Sequence, residues 1–189
     1  DMAFSWLDKI PASSKAAVRG VLLRIQLLAE AGRDAEALDA VRKATSANPD
    51  SSELVEVEVR LLARQKQMKQ ALDVAQSAIK RWPNNAEMFF LLGSLQDETG
   101  DKKAAFKTME KLLALHPDNY QALNYVGYTL AEEDRDLDRA LTLLMRANDL
   151  APNQSYIVDS LAWAYFKAGK LDDALKEIRR AVTLDEHTD

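Results

Sequence analysis

Two histidines, thirty acidic side chains and no cysteine bound the chemistry that this 189-residue chain could perform. His116 stands directly before Pro117, where a basic group complements the end of a helix, and His187 lies two residues from the last. Neither has a second histidine or a cysteine at ligand spacing, so no zinc-type site is expected. Asp134, Asp136 and Asp138 alternate as at the start of a calcium loop. Such a loop would need glycine where Arg139 stands and a bidentate glutamate where Met145 stands. The run therefore reads as a solvated acidic turn. No glycine-rich phosphate loop and no Gly-x-Ser-x-Gly elbow is present. The remaining carboxylates lie among lysines and arginines at helical spacing. Glu36, Asp39 and Lys43 form one such group, and Asp173, Lys176 and Glu177 another, the pattern of exposed faces with modest ion pairs. No catalytic residue, metal ligand set or cofactor is expected.

The aromatic residues carry more information. Tyr156, Trp163 and Phe166 are offset by seven and three positions, which puts them on one face of a helix. The same pattern also suits a buried helix face. The elements that would position them follow from composition. Hydrophobic residues make up 47% of the chain and charged residues 29%, so the sequence can bury a core. With only 6 glycines and 5 prolines and few β-branched runs, it favours helices joined by short turns. The net charge of −5, with both signs interleaved, leaves no basic stripe for nucleic acid. No apolar run reaches the about 18 residues that a membrane span needs. The lack of cysteine fits a reducing or an oxidising compartment. The chain opens on Asp1 without a signal peptide, so a longer natural protein is expected and the compartment is not readable from it.

Pro49, Pro83, Pro117 and Pro152 are separated by 34, 34 and 35 residues, a period typical of stacked helix–turn–helix units. Aligned on them, the chain divides into units 18–51, 52–85, 86–119, 120–154 and 155–189, preceded by a segment 1–17 that ends in the manner of an upstream second helix. Turns at Gly32-Arg33-Asp34, Gly100-Asp101 and Gly169-Lys170 separate the two helices of a unit. Asn, Asp and Ser beside the prolines are natural caps for the next first helix. Ala37, Ala71, Ala105, Ala140 and Ala174 recur at one place in the second helices. Ala44, Ala78, Leu112, Ala147 and Ala181 recur seven residues on. Small residues there allow close helix approach. On the first helices, Leu92-Gly93, Val126-Gly127 and Leu161-Ala162 form the matching tight pair, with Ile25 and Val59 at the small-residue place in the first two units. Lys66 stands where a turn glycine would. The one extra residue falls in the turn Glu133–Leu137.

These positions resemble the tetratricopeptide repeat consensus over residues 18–189, most clearly in Phe89, Leu92, Gly93, Gly100, Ala105 and Pro117. The resemblance implies an all-α fold: a right-handed superhelical solenoid of antiparallel helix pairs, about five repeats plus a partial N-terminal helix. The runs Ala122–Leu130 and Ile157–Trp163 further resemble the C-terminal repeats of bacterial envelope tetratricopeptide lipoproteins that act as adaptors. The corresponding locations are the bacterial envelope or periplasm, with the cytoplasm as the alternative.

In that family the first helices line the concave groove, with positions 2, 5, 9 and 12 pointing inward. Counted from the unit starts, the first two units contribute a groove of mixed charge, including Arg19, Gln26, Glu53 and Arg60. The later units contribute Phe90, Asn124, Tyr128, Tyr156, Asp159, Trp163 and Phe166, an aromatic half with polar groups that could hold a peptide backbone. The family's carboxylate clamp is matched only at Asn124. The expected partner is thus a protein or peptide, with no nucleic acid and no membrane span, and the end repeats permit self-association into a homo-oligomer. The function implied is that of a scaffold or adaptor. The alternatives are the non-catalytic repeat region of a larger enzyme or assembly factor, and an RNA-binding helical repeat.

Overall fold

The computed structural model describes residues 6–7, 10 and 17–186. Most of the segment 1–17, expected to end an upstream repeat, lies outside the described residues. Among the described residues the fold is all-helical. The ten helices are α1 (Ala17–Glu30), α2 (Asp34–Ala47), α3 (Ser52–Arg64), α4 (Met68–Arg81), α5 (Ala86–Glu98), α6 (Lys102–Leu115), α7 (Tyr120–Glu132), α8 (Leu137–Leu150), α9 (Ser155–Lys167) and α10 (Leu171–Glu186). They group into two compact units, residues 1–99 and 100–189.

Within the first unit each helix packs on the next, and α3 also packs on α5. The second unit repeats the scheme, with α7 reaching over α8 to α9. Packing between sequential helices and between the first helices of consecutive repeats is that of a helical repeat. The first unit's core is built from Ile25, Val41, Leu54, Val59, Leu62 and Met88 with the small residues Ala37, Ala71, Ala75 and Ala78 between them. In the second unit Leu123, Ala147 and Ile157 form a core into which Leu113, Tyr120 and Leu143 pack. The recurring alanines of the second helices are all buried, as is Leu112 at the one position where a larger residue stands. Gly127 shows why a small residue belongs on the first helix. A Cβ there would stand 2.7 Å from Leu144 Cγ and 3.1 Å from the Ala140 carbonyl oxygen, both on α8.

The turns follow a common pattern. At Gly32, Lys66, Asp134 and Gly169 the backbone takes a positive φ. Each of these residues donates its N–H three residues back, and its successor donates five back, as in Gly169 to Phe166 (3.0 Å) and Lys170 to Tyr165 (2.9 Å). That double bond pattern closes a helix and turns the chain into its partner. Lys66 adopts it with φ 60°, a conformation that a side chain disfavours. The helices that follow Pro49, Pro83 and Pro117 begin on Ser51, Asn85 and Asn119, whose side chains accept from the backbone N–H of Leu54, Met88 and Ala122, whereas the helix after Pro152 begins on Gln154 without a side-chain cap. Asp101 and Asp136 cap α6 and α8 in the same way as Ser51 caps α3. Asp34, in the first of these turns, does not cap α2. It is already the first residue of α2, and Arg33 before it gives no side-chain cap.

Candidate protein-binding cleft

The second unit holds a cleft of about 530 Å³ between α7, α9 and α10. Heptad-like spacing places its walls. Tyr128 and Glu132 stand one turn apart on α7, and Asp159, Trp163 and Phe166 lie along one face of α9. The positive-φ turn at Gly169 folds α10 back so that Leu171, Leu175 and Ile178 complete the floor. The Trp163 and Phe166 rings stack with centroids 5.5 Å apart and planes at 28°. Lys167 Nζ lies 5.5 Å from the Trp163 ring centroid and 2.8 Å from Asp134 Oδ2, tying the aromatic pair to the preceding turn. Two of the three aspartates in the acidic run serve structure: Asp134 pairs with Lys167 and Asp136 caps α8. No cluster among the described residues has the groups to hold a metal ion.

The polar side of the cleft is acidic. Glu132 stands one turn along α7 from Tyr128, and Asp159 faces it from α9. Partial burial, and then the negative charges of Glu132 and Asp159, raise the Tyr128 pKa above the ordinary 10.0. Tyr128 is nonetheless 41% exposed, so its ring and hydroxyl are open to a partner. The Trp163 Nε1–H is buried and has no hydrogen-bond partner among the described residues, and the same holds for Asn124 Oδ1 on the adjacent α7. Buried polar atoms are ordinarily paired, and these two are exceptions.

Of the residues read from the sequence, Tyr128, Asp159, Trp163 and Phe166 come together around this cleft. Asn124 is half-buried on α7 outside its lining. Tyr156 is exposed near the start of α9, also outside it, with Tyr120 close enough to add to the rise in its pKa caused mainly by burial. Phe90 is half-buried on α5 in the first unit. Sequence reasoning missed the floor supplied by α10. The signal was the four-three-four spacing of Leu171, Leu175, Ile178 and Val182, which marks an apolar stripe on a helix assigned to packing alone. A second cleft of about 500 Å³ in the first unit is lined by Arg19, Gln26, Glu53, Arg60 and Arg64 around an apolar centre, the mixed-charge character expected there.

Comparison with known proteins places this architecture. Residues 159–188 match the tetratricopeptide repeat family model, and residues 1–112 match the ChAPs (Chs5p-Arf1p-binding proteins) model. A TPR repeat-containing protein of Pseudomonas aeruginosa, PA4667, is 32% identical over 162 residues, which is 85% of this chain. The chain belongs to the tetratricopeptide repeat family. Its first 112 residues fall within the ChAPs family model as well. The chain spans 28% of the length of the Pseudomonas relative. Among solved structures, MamA from Desulfovibrio magneticus RS-1 superposes with a TM-score of 0.71 at 18% identity, over 95% of this chain and 99% of that one. The thermophilic TPR protein TTC0263 of Thermus thermophilus gives 0.67 at 20% identity, over 90% and 92% of the two chains. Both show the tetratricopeptide fold in this chain. Repeats of this family are generally non-catalytic scaffolds for other proteins.

Proposed function

We propose that this chain is a protein-interaction module, a scaffold or adaptor whose second unit captures a peptide or protein segment in the α7/α9/α10 cleft. The observation that carries this reading is the convergence of Tyr128, Trp163 and Phe166 with Asp159 and Glu132 around an open apolar floor. Aromatic anchors ringed by polar groups are the usual composition of binding hot spots. Two comparisons add support at the level of class: the family supplies interaction scaffolds, and the ChAPs carry protein binding in their name. The RNA-binding alternative is disfavoured by the net charge of −5 and by the acidic edge of the cleft.

The test is affinity capture from a lysate of the source organism, comparing wild type with a Tyr128→Ala/Trp163→Ala variant and reading the bound proteins by mass spectrometry. Each substitution is expected to weaken capture by about 1–3 kcal/mol with helicity unchanged by circular dichroism. Equal capture by both proteins would move the binding surface away from this cleft. Loss of helicity would make the two residues part of the core.

A further inference from the structure

We infer that the occupant of the cleft is an amphipathic helix of about three turns that presents an apolar stripe flanked by lysine or arginine. This deepens the proposed function and rests on it. The length comes from α10. Leu171, Leu175 and Ile178 line the cleft, and Val182 continues the same row one turn beyond it; the four follow a four-three-four spacing and are between 37% and 63% exposed, whereas Ala174 and Ala181 on the neighbouring face are buried. At 1.5 Å per residue the stripe runs for about 16 Å, or three helical turns. Phe166 adds a 52% exposed ring beside it. A second helix laid along such a row can seat its own i, i+4, i+7 side chains between these residues.

The charge comes from the rim. Glu132 and Asp159 are the charged residues that line the cleft, and both are acidic. The nearby cations are already engaged: Lys167 pairs with Asp134 and lies over Trp163, and Lys170 lies over the Tyr165 ring. The opposite flank of the α10 stripe carries Asp172 and Arg179, one of each sign and both exposed, and sets no preference. A helix with acidic residues toward α7 and α9 would thus meet like charge there, and a basic one would find two carboxylates.

The probes are two labelled synthetic peptides of about 14 residues with leucines at i, i+4, i+7 and i+11. One carries lysine at the flanking positions and the other glutamate. Binding is read by fluorescence anisotropy, with light scattering on the same samples. The lysine peptide is expected to bind wild type, and the glutamate peptide to bind on the order of tenfold more weakly. A Glu132→Lys/Asp159→Lys variant should reverse that order, and Leu175→Asp, at an exposed position, should abolish binding of both. Equal affinity for the two peptides, or an order that survives the charge reversal, would overturn the inference. So would a dimer that dissociates in Leu175→Asp and competes with the peptide, since a second copy would then be the occupant. If capture from lysate still depends on Tyr128 and Trp163 while neither peptide binds, the cleft is a binding site for another chemistry. Loss of both effects would remove the proposed function as well.

Discussion

Lys66 illustrates how a repeat tolerates a residue that its local geometry disfavours. Its φ of 60° is the conformation that Gly32 and Gly169 adopt in the equivalent turns at 70° and 73°. A non-glycine residue in this region costs about 1–2 kcal/mol. The compensation in view is the contact of Lys66 Nζ with Glu98 at 3.3 Å, between two exposed side chains, which contributes well under about 1 kcal/mol. Glycine gives back part of the relief through its greater freedom in the unfolded chain. The balance favours glycine, so Lys66→Gly should stabilise the protein by about 0.5–1 kcal/mol. That corresponds to a rise in melting temperature of a few degrees in a chain of this size. A fall in melting temperature would show that the Glu98 contact, or lysine packing over the turn, outweighs the backbone strain.

At the scale of the element, close approach of helices decides which substitutions are silent. Gly127→Ala should gain about 0.5–1 kcal/mol of helix propensity. It also drives a methyl group to 2.7 Å from Leu144 Cγ and 3.1 Å from a carbonyl oxygen of α8. Cγ is not the flexible end of leucine, and the carbonyl belongs to a helix, so the pair must separate at a cost of about 1–3 kcal/mol. A net loss of about 1–2 kcal/mol in denaturant unfolding is expected; a neutral result would mean that α7 and α8 shift without penalty. The small-residue periodicity was readable in the sequence because this steric demand recurs at a fixed interval, and so were the caps at Ser51, Asn85 and Asn119. Lys66 and Asp34 were harder to read. Turn geometry imposes a positive φ on whatever residue stands at the bend, and an aspartate one place too far along enters the helix instead of capping it. The site was half legible. Helical spacing on α9 revealed Trp163 and Phe166, but the floor from α10 depends on how tightly the chain reverses at Gly169, and the exclusion of Tyr156 and Asn124 depends on where the cleft ends. Spacing along a single helix contains neither fact.

At the scale of the whole molecule, repeats that pack only on adjacent repeats make stability a local property. Leu144 is fully buried on α8, and Leu144→Ala removes a side chain that packs against Gly127 of α7. Such truncations cost about 2–5 kcal/mol. In a globular core that loss would lower the protection of every slowly exchanging amide together. In a repeat array, stability is a sum of unit terms and nearest-neighbour terms, so the opening reports on the units beside the lesion. Hydrogen exchange read by mass spectrometry should therefore show the largest loss of protection in α7, α8 and α9. The amides of α1 to α3, whose core is built from Ile25, Val41, Leu54 and Val59, should change little. Uniform loss across all ten helices would indicate a single cooperative fold in which a partner helix seated at the α7/α9/α10 cleft would stabilise every repeat. A local loss would confine that stabilisation to the repeats that contact it, and leave the mixed-charge cleft of the first unit free to respond to a ligand of its own.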